Sequence, residues 1–258
     1  MIKLSHDQVS AISHWFAGGP PGATALAEHT LVPGTGDWWA DRPVDPRVIA
    51  VACAGHLLLR GDPTALAPLA LAPFTAHHVQ APARFLPLLS SAFDRLVPWE
   101  RMGYVHRVPV SPPRPSRGVT VRRLRPQDAP ALAALGSEAA WIHASWGGPA
   151  GLAASGHGWA AFDEDRVLAM ACTYFRGSTY EDVACLTVPE HRRRRLALAC
   201  VAALCQDITA RGHTPSWTCS RDNRPSRLLA WHAGFRLEYE YVHYLTGQPA
   251  RRVAGLAA

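Results

Sequence analysis

Apolar residues at 196, 197, 200, 201, 204, 205 and 208 fall on one face of a helix that Gly212 closes. On both sides of this stretch, alternation takes over. Upstream, "GWAAFDEDRVLAMACTYFRG" predicts a hairpin of two apolar strands around the polar turn Asp163-Glu164-Asp165, and "YEDVACLTV" predicts a third strand. Before the hairpin, "VTVRRL" at 119–124 alternates as a strand should. "RPQDAPALAALG" then offers Asp128 as N-cap, Pro130 in the first turn and Gly136 as C-cap, and a short helix follows near "SEAAWIHASWGG". Downstream come a strand in "PSWTCS", a helix in "RPSRLLAWHAG" ending at Gly234, and a final strand in "FRLEYEYVHYLTG". The predicted order β-α-α-β-β-β-α-β-α-β is that of an α+β or α/β domain with a strand-loop-helix unit at its centre.

The N-terminal half has weaker periodicity. "SHDQVSAISHWFA" predicts a helix with Ser5 as N-cap, stopped by the GGPPG at 18–22. "DPRVIAVACAGHLLLRGD" predicts two strands around Ala54-Gly55, and "ARFLPLLSSAFDRL" a helix that Pro87 kinks or opens. "VPVSPPRPSRG" at 108–118 carries four prolines and no periodicity, so an extended connector is expected there. The expected organisation is a domain over 1–110, a linker at 111–118, a domain over 119–247 and a tail at 248–258. "VIAVAC" (48–53) and "VLAMAC" (167–172) nearly match, which raises an internal duplication as one reading and chance similarity of Ala-rich runs as the other.

With 258 residues, 48% of them hydrophobic, the chain has material for a substantial core. The N-terminus lacks the apolar core of a signal peptide, and no run reaches the ~18 apolar residues of a spanning helix, so no membrane partner is expected. Six cysteines, none in CxxC spacing and most inside apolar runs, read as buried free thiols; a cytoplasmic setting is expected. The thirteen histidines are scattered without carboxylate or cysteine partners, so no metal site is expected. The net charge of +6 is carried almost wholly by arginine, Lys3 being the only lysine. This skew resembles a coding bias, and no nucleic-acid-binding signature accompanies it.

One basic run stands out. Arg192, Arg193, Arg194 and Arg195 lie between the strand "YEDVACLTV" and the long helix. Four cations in a first helical turn oppose the positive end of the helix dipole, so an anion is needed to offset them. A strand that turns into a helix presents free N–H groups to such an anion, and arginines around the mouth add charge-assisted bonds. The local physics therefore points to a phosphate-bearing ligand, although neither a P-loop nor a GxGxxG turn is present.

The run "EDVACLTVPEHRRRRLA" resembles the acetyl-CoA motif of the GNAT N-acetyltransferases, an R/Q-x-x-G-x-G/A loop that opens a helix. Here the motif falls on Arg192-x-x-Arg195-x-Ala197, with Arg195 where the family most often has glycine. The resemblance implies that main-chain groups from Arg193 through Leu196 to Ala197 hold the coenzyme pyrophosphate. It also implies that Cys185, Leu186, Thr187 and Val188 pair with the pantetheine arm. "TPSWTCSRDNRPSRLLAWHAGFRLEYEYVHY" is similar to the zwittermicin-A-resistance type of GNAT protein, and Asn223 and Ser226 would then line the coenzyme side. The N-terminal "GDWWADRPVDPRVIAVACAGHLLLRGDP" is similar to that type's first half, a degenerate GNAT-like domain lacking the loop. The implied architecture is a mixed central sheet flanked by helices in a catalytic C-terminal half, with one coenzyme site.

The resemblance further implies transfer of an acetyl group from acetyl-CoA to a primary amine of a small molecule, an amino-bearing antibiotic or an amino acid. A base must take the amine proton. Glu181, at the start of the strand, occupies the position of the family's glutamate base; Asp182 should face the other side of the strand. A tyrosine that often protonates the departing thiolate is replaced by Ala230. The alternative is a non-catalytic coenzyme-binding or regulatory protein. Acceptor and oligomeric state, monomer or homodimer, are left open.

Overall fold

The computed structural model describes residues 1–32 and 34–250; of the expected tail, residues 251–258 lie outside the described residues. In chain order the elements are β1 (Ile2–Lys3), α1 (His6–Ile12), α2 (Pro21–His29), β2 (Asp37–Ala40), β3 (Val48–Cys53), β4 (His56–Gly61) and β5 (His78–Gln80). Then come α3 (Leu86–Ala92), β6 (Leu96–His106), β7 (Val119–Arg123), α4 (Ala129–Ala133), α5 (Pro149–Ser155), β8 (Gly158–Asp163), β9 (Arg166–Arg176) and β10 (Tyr180–Thr187). The last are α6 (Leu196–Ala210), β11 (Thr214–Ser220), α7 (Arg224–His232) and β12 (Phe235–Thr246).

These elements form two compact units: Met1–Trp15 with Asp37–Glu100 and the chain from Val242, and Phe16–Gly36 with Arg101–Tyr241. The units therefore do not part at residues 111–118. The proline-rich stretch lies inside the second unit, joining β6 to β7, and the division falls within β6 and β12. Prolines mark where helix and strand cannot form, not where packing ends.

In the first unit the strands lie in the order β1-β2-β3-β4-β5-β12. Ala54 and Gly55, at φ 49° and 78°, make the tight left-handed turn between β3 and β4. Val48, Leu57, Leu59, Phe74, Val79 and Phe85 form the core.

In the second unit the order is β6-β11-β10-β9-β8-β7. Helix α6 covers one face, with Cys200, Val201, Leu204 and Ile208 packed among Val183, Trp217 and Phe235. On the other face Leu132, Ile142 and Leu152 pack against Phe162, Met170 and Cys172.

The series β2-β3-β4, β5, α3, β6 repeats as β8-β9-β10, β11, α7, β12, and both units contain one parallel strand pair, β4–β5 and β10–β11. "VIAVAC" is β3 and "VLAMAC" lies in β9, so the two similar runs occupy equivalent strands. Where the second unit has α6, the first has a 3-10 segment, Pro68–Phe74, with Pro73 inside it. A proline there rules out a regular helix, and with it a helix-start anion site.

Helix α2 packs on the second unit's sheet. It was not legible as a helix, because seven of its nine residues are buried and no polar stripe is left to set a period. His29 anchors its C-terminal end: Nδ1 accepts from the Arg176 N–H at 3.2 Å, so Nε2 carries the proton donated to the Ser145 carbonyl at 2.8 Å. Burial lowers the His29 pKa and keeps this neutral form.

Candidate active site

β10 and β11 run parallel only from Tyr180↔Thr214 to Asp182↔Ser216. Beyond that, Val183–Thr187 pair with β9 alone, while Trp217–Ser220 pair with β6. The two strands diverge into a wedge whose apex is Asp182 and Ser216. One edge of β10 is thereby left with unpaired main-chain groups, which an extended ligand can pair with. Cys185, Leu186, Thr187 and Val188 are half-buried along that edge. Opposite the apex the register slips between Asp182 and Val183, leaving Tyr174 of β9 as the extra residue of a bulge.

The strand ends at the arginine loop. Arg192, Arg193, Arg194 and Arg195 are all exposed, Leu196 is buried and Ala197 half-buried. Arg195 is the N-cap of α6 at φ 58° and ψ 15°, and its side chain makes no capping bond. Arg193 is also left-handed, at φ 62°. Two such residues that lack the freedom of glycine store roughly 1–2 kcal/mol each, a common feature of ligand loops. The backbone of Arg195 thus adopts the conformation a glycine would. Arg194 is tied down, its guanidinium bonding His191 Nδ1 at 2.8 Å and Ser116 Oγ at 3.0 Å. A fifteen-residue helix whose start has no side-chain cap and is surrounded by exposed arginines presents N–H groups and positive charge to an anion.

Asn223 and Ser226 lie at the start of α7. The Asn223 side chain accepts from the Ser226 N–H at 3.1 Å and caps α7, while Ser226 Oγ accepts from Trp217 Nε1 at 3.1 Å. Both side chains build the start of α7. Ala230 is fully buried in the core beneath α7. Of the aromatics expected on a helix after α4, Trp146 donates Nε1–H to the Thr173 carbonyl at 2.7 Å and stacks on His157, whereas Trp141 is exposed.

The two carboxylates at the apex have opposite surroundings. Glu181 is 0% exposed and faces α6. Its Oε1 accepts from Arg211 Nε at 3.1 Å and bonds His213 Nδ1 at 2.9 Å; its Oε2 accepts from Arg211 Nη2 at 2.8 Å and from the Thr173 hydroxyl. Arg211 in turn pairs with Asp207 at 2.8 Å, and Asp207 with Arg123. Burial alone would raise the Glu181 pKa, but the bonds from Arg211, Thr173 and His213 together hold it below the usual carboxylate range. So paired, Glu181 is held in its ionised form. This places the expected base in an ion-pair network.

Asp182 is 5% exposed on the opposite face, beneath the first turn of α2. Its Oδ1 accepts from Ser216 Oγ at 3.1 Å and its Oδ2 from Thr218 Oγ1 at 3.2 Å. Burial pushes its pKa up to about 6, with the two hydroxyl bonds and the Arg101 charge restraining the rise. A carboxylate titrating there is suited to proton transfer near neutral pH.

Two glycines shape this pocket. A Cβ at Gly103 of β6 would lie 2.3 Å from the Tyr239 ring, so only glycine lets Tyr239 reach across β6 from β12. A Cβ at Gly22 of α2 would lie 2.9 Å from Thr218 Cγ2 and 3.8 Å from Asp182 Oδ1, so α2 roofs the carboxylate closely. Gly22, expected within the helix stop at 18–22, lies instead in the first turn of α2, and Gly103 was not singled out from the sequence. A glycine inside the strand-like run "ERMGYVH" was the available signal for Gly103.

A strand edge open to an extended ligand, a helix start open to an anion and a buried carboxylate at the apex thus lie along one strand. The model of the GNAT acetyltransferase family matches residues 116–244. An uncharacterised N-acetyltransferase encoded in the mutA 5′ region of Streptomyces virginiae is 65% identical over 214 residues, covering 83% of this chain and 90% of that protein. The chain belongs to the GNAT acetyltransferase family and is an N-acetyltransferase. Solved structures share the fold. A GCN5-related N-acetyltransferase-like protein from Streptococcus suis gives a TM-score of 0.72 at 16% identity, covering 93% of this chain and 98% of that one. A tandem GNAT protein from the clavulanic acid biosynthesis pathway gives 0.61 at 12% identity, covering 94% and 96%. Members of this family use acetyl-CoA. Among the described residues no group of three His, Cys, Asp or Glu is arranged to hold a metal ion, and no helix is long and apolar enough to cross a membrane.

Proposed function

We propose that this chain acetylates a primary amine of a small molecule, an amino-bearing antibiotic or an amino acid, by direct attack, with Asp182 as the base. The observation that carries this reading is the divergence of β10 from β11 immediately after Asp182. Bound acetyl-CoA supplies the thioester carbonyl. The free edge of Val183–Val188 would hold the pantetheine arm, and the N–H groups from Arg193 to Ala197 the pyrophosphate. Arg192 and Arg195 add positive charge at the mouth. Asp182 takes up the amine proton when ionised, above about pH 6. Glu181 fixes the start of β10 to α6 and so holds the apex in place. The similarity of the second half to the zwittermicin-A-resistance type supports an antibiotic-like amine. The six free cysteines support a cytoplasmic setting.

The test is calorimetry with acetyl-CoA followed by thiol release against a panel of amino-bearing antibiotics, amino acids and polyamines. Micromolar coenzyme binding with turnover on at least one small amine is expected. Failure to bind acetyl-CoA overturns the reading.

A further inference from the structure

We propose that Thr218 is the relay through which the acceptor amine delivers its proton to Asp182. This rests on the proposed function and goes beyond it. Asp182 is closed in: α2 roofs it at Gly22, and Tyr239 lies over Gly103 beside it. A Cβ at Gly22 would lie 3.4 Å from the Tyr239 phenol oxygen, so the end of that ring meets α2 over the carboxylate. Of the two hydroxyls bonded to the carboxylate, Ser216 is 1% exposed and belongs to the last pair between β10 and β11. Thr218 is half-buried and sits two residues further along β11, where that strand has left β10 and forms the wall of the wedge. Its O–H donates to Asp182 Oδ2, so its lone pairs are turned away from the carboxylate.

Tyr241 of β12 lies beside Thr218 and is bonded by Arg101 of β6, so a phenol and a guanidinium flank Thr218 on the side away from β10. The groups facing Asp182 are Arg101, Tyr239, Tyr241, Ser216 and Thr218; the first turn of α2 carries no acidic residue, and Glu181 points to the other face.

In the step itself, the amine nitrogen forms a C–N bond to the carbonyl carbon of an acyl-coenzyme A thioester as the C–S bond breaks. The nitrogen's proton passes to Thr218 Oγ1 while Thr218's own proton passes to Asp182 Oδ2. The same path in reverse returns the proton to the departing thiolate or to solvent, so nothing is oxidised or reduced.

Thr218→Val and Thr218→Ser separate the hydroxyl from the side-chain shape. With an acceptor identified from the amine panel, Thr218→Val is expected to lower kcat about 100-fold. It should also abolish the acid limb near pH 6 while leaving acetyl-CoA affinity within about threefold. Thr218→Ser should restore kcat to within about threefold of the parent. In protein free of coenzyme, carbon-13 NMR of the aspartate carboxyls should show the Asp182 midpoint rise in Thr218→Val, because one bond to the ionised form is gone. A Val variant with parental kcat and acid limb, a Ser variant as slow as Val, or an unmoved midpoint overturns the relay. A parent protein that binds acetyl-CoA and acetylates no amine overturns the proposed function, and the relay falls with it. Parental turnover with an unaffected Val variant overturns the relay alone.

Discussion

Glu181 and Asp182 are adjacent in the chain and are both carboxylates, yet β10 sends them to opposite faces with opposite consequences. On the α6 face, Glu181 meets a guanidinium, an imidazole and a hydroxyl and stays ionised. On the α2 face, Asp182 meets two neutral hydroxyls in a buried site, and its pKa rises to about 6. A carboxylate paired directly with a guanidinium holds structure; one bonded only to hydroxyls, with the Arg101 charge further off, is poised to change. The wedge opens directly beyond this pair, so its apex needs both a rigid anchor and a titrating group.

The sharpest way to break the comparison is Asp182→Asn. Turnover should fall by about 10²–10⁴-fold, the range for loss of a general base, with coenzyme affinity retained. Because the Asp182 pKa is raised on folding, its contribution to stability is full below the unfolded value near 4 and is lost as pH rises to about 6. The Asn variant should therefore equal the parent in stability at pH 4 and exceed it at pH 7.5 by roughly 2–3 kcal/mol, read from denaturant curves at the two pH values. In the parent, kcat/KM should drop tenfold per pH unit below about 6. An Asn variant that loses stability at pH 7.5 and keeps its turnover would reverse the two roles.

Glu181→Gln probes the other face. Removing one partner of a buried ion pair costs about 3–5 kcal/mol, and the partial exposure of Arg211 sets the expectation at the lower end. The Glu181 pKa is lowered on folding, so its contribution is present above the ordinary carboxylate range and is lost as pH falls through the folded value. The variant should thus show its full deficit at neutral pH, measured by urea unfolding, while kcat per folded molecule stays within about threefold. A kcat loss comparable to that of Asp182→Asn would return Glu181 to the chemistry.

This division was only half legible in the sequence. Alternation alone predicted that the two side chains would face apart. Apart from Thr173, eight residues before Glu181, their partners lie 30 or more residues away, at Arg211, His213, Ser216 and Thr218, and no local pattern says which face receives the arginine. The strands, the long helix and the loop could be read because each carries its own period or turn residues. Helix α2 could not, being buried nearly all round, and the proline run marked a connector inside one unit. Asn223 and Ser226 were recognisable as a motif, and the cap they build for α7 is a further role that the motif alone does not reveal.

Gly103→Ala tests the Asp182 face without touching a polar group. The added methyl would meet the Tyr239 ring at 2.3 Å and must displace it. Overpacking of this kind costs about 1–3 kcal/mol, seen as a lowered denaturation midpoint. If Tyr239 holds the roof over Asp182, the acid limb should move to lower pH as solvent reaches the carboxylate. Loss of stability with an unmoved limb would confine Tyr239 to packing.

The smallest expected effect lies at the far end of β10, where strain takes the place of charge pairing. Arg195 holds φ 58° with a Cβ attached, and glycine would adopt that conformation without penalty. Arg195→Gly should stabilise the protein by about 1 kcal/mol, a rise in Tm of about 2–4 °C for a chain of this size. Removing an exposed cation should weaken acetyl-CoA binding no more than about fivefold, because the N–H groups at the start of α6 remain in place. If Tm fails to rise, the guanidinium offsets the backbone strain through contacts of its own. If affinity falls by a hundredfold or more, this side chain carries the anion site, and electrostatics, divided at the apex between anchor and base, would govern the loop as well.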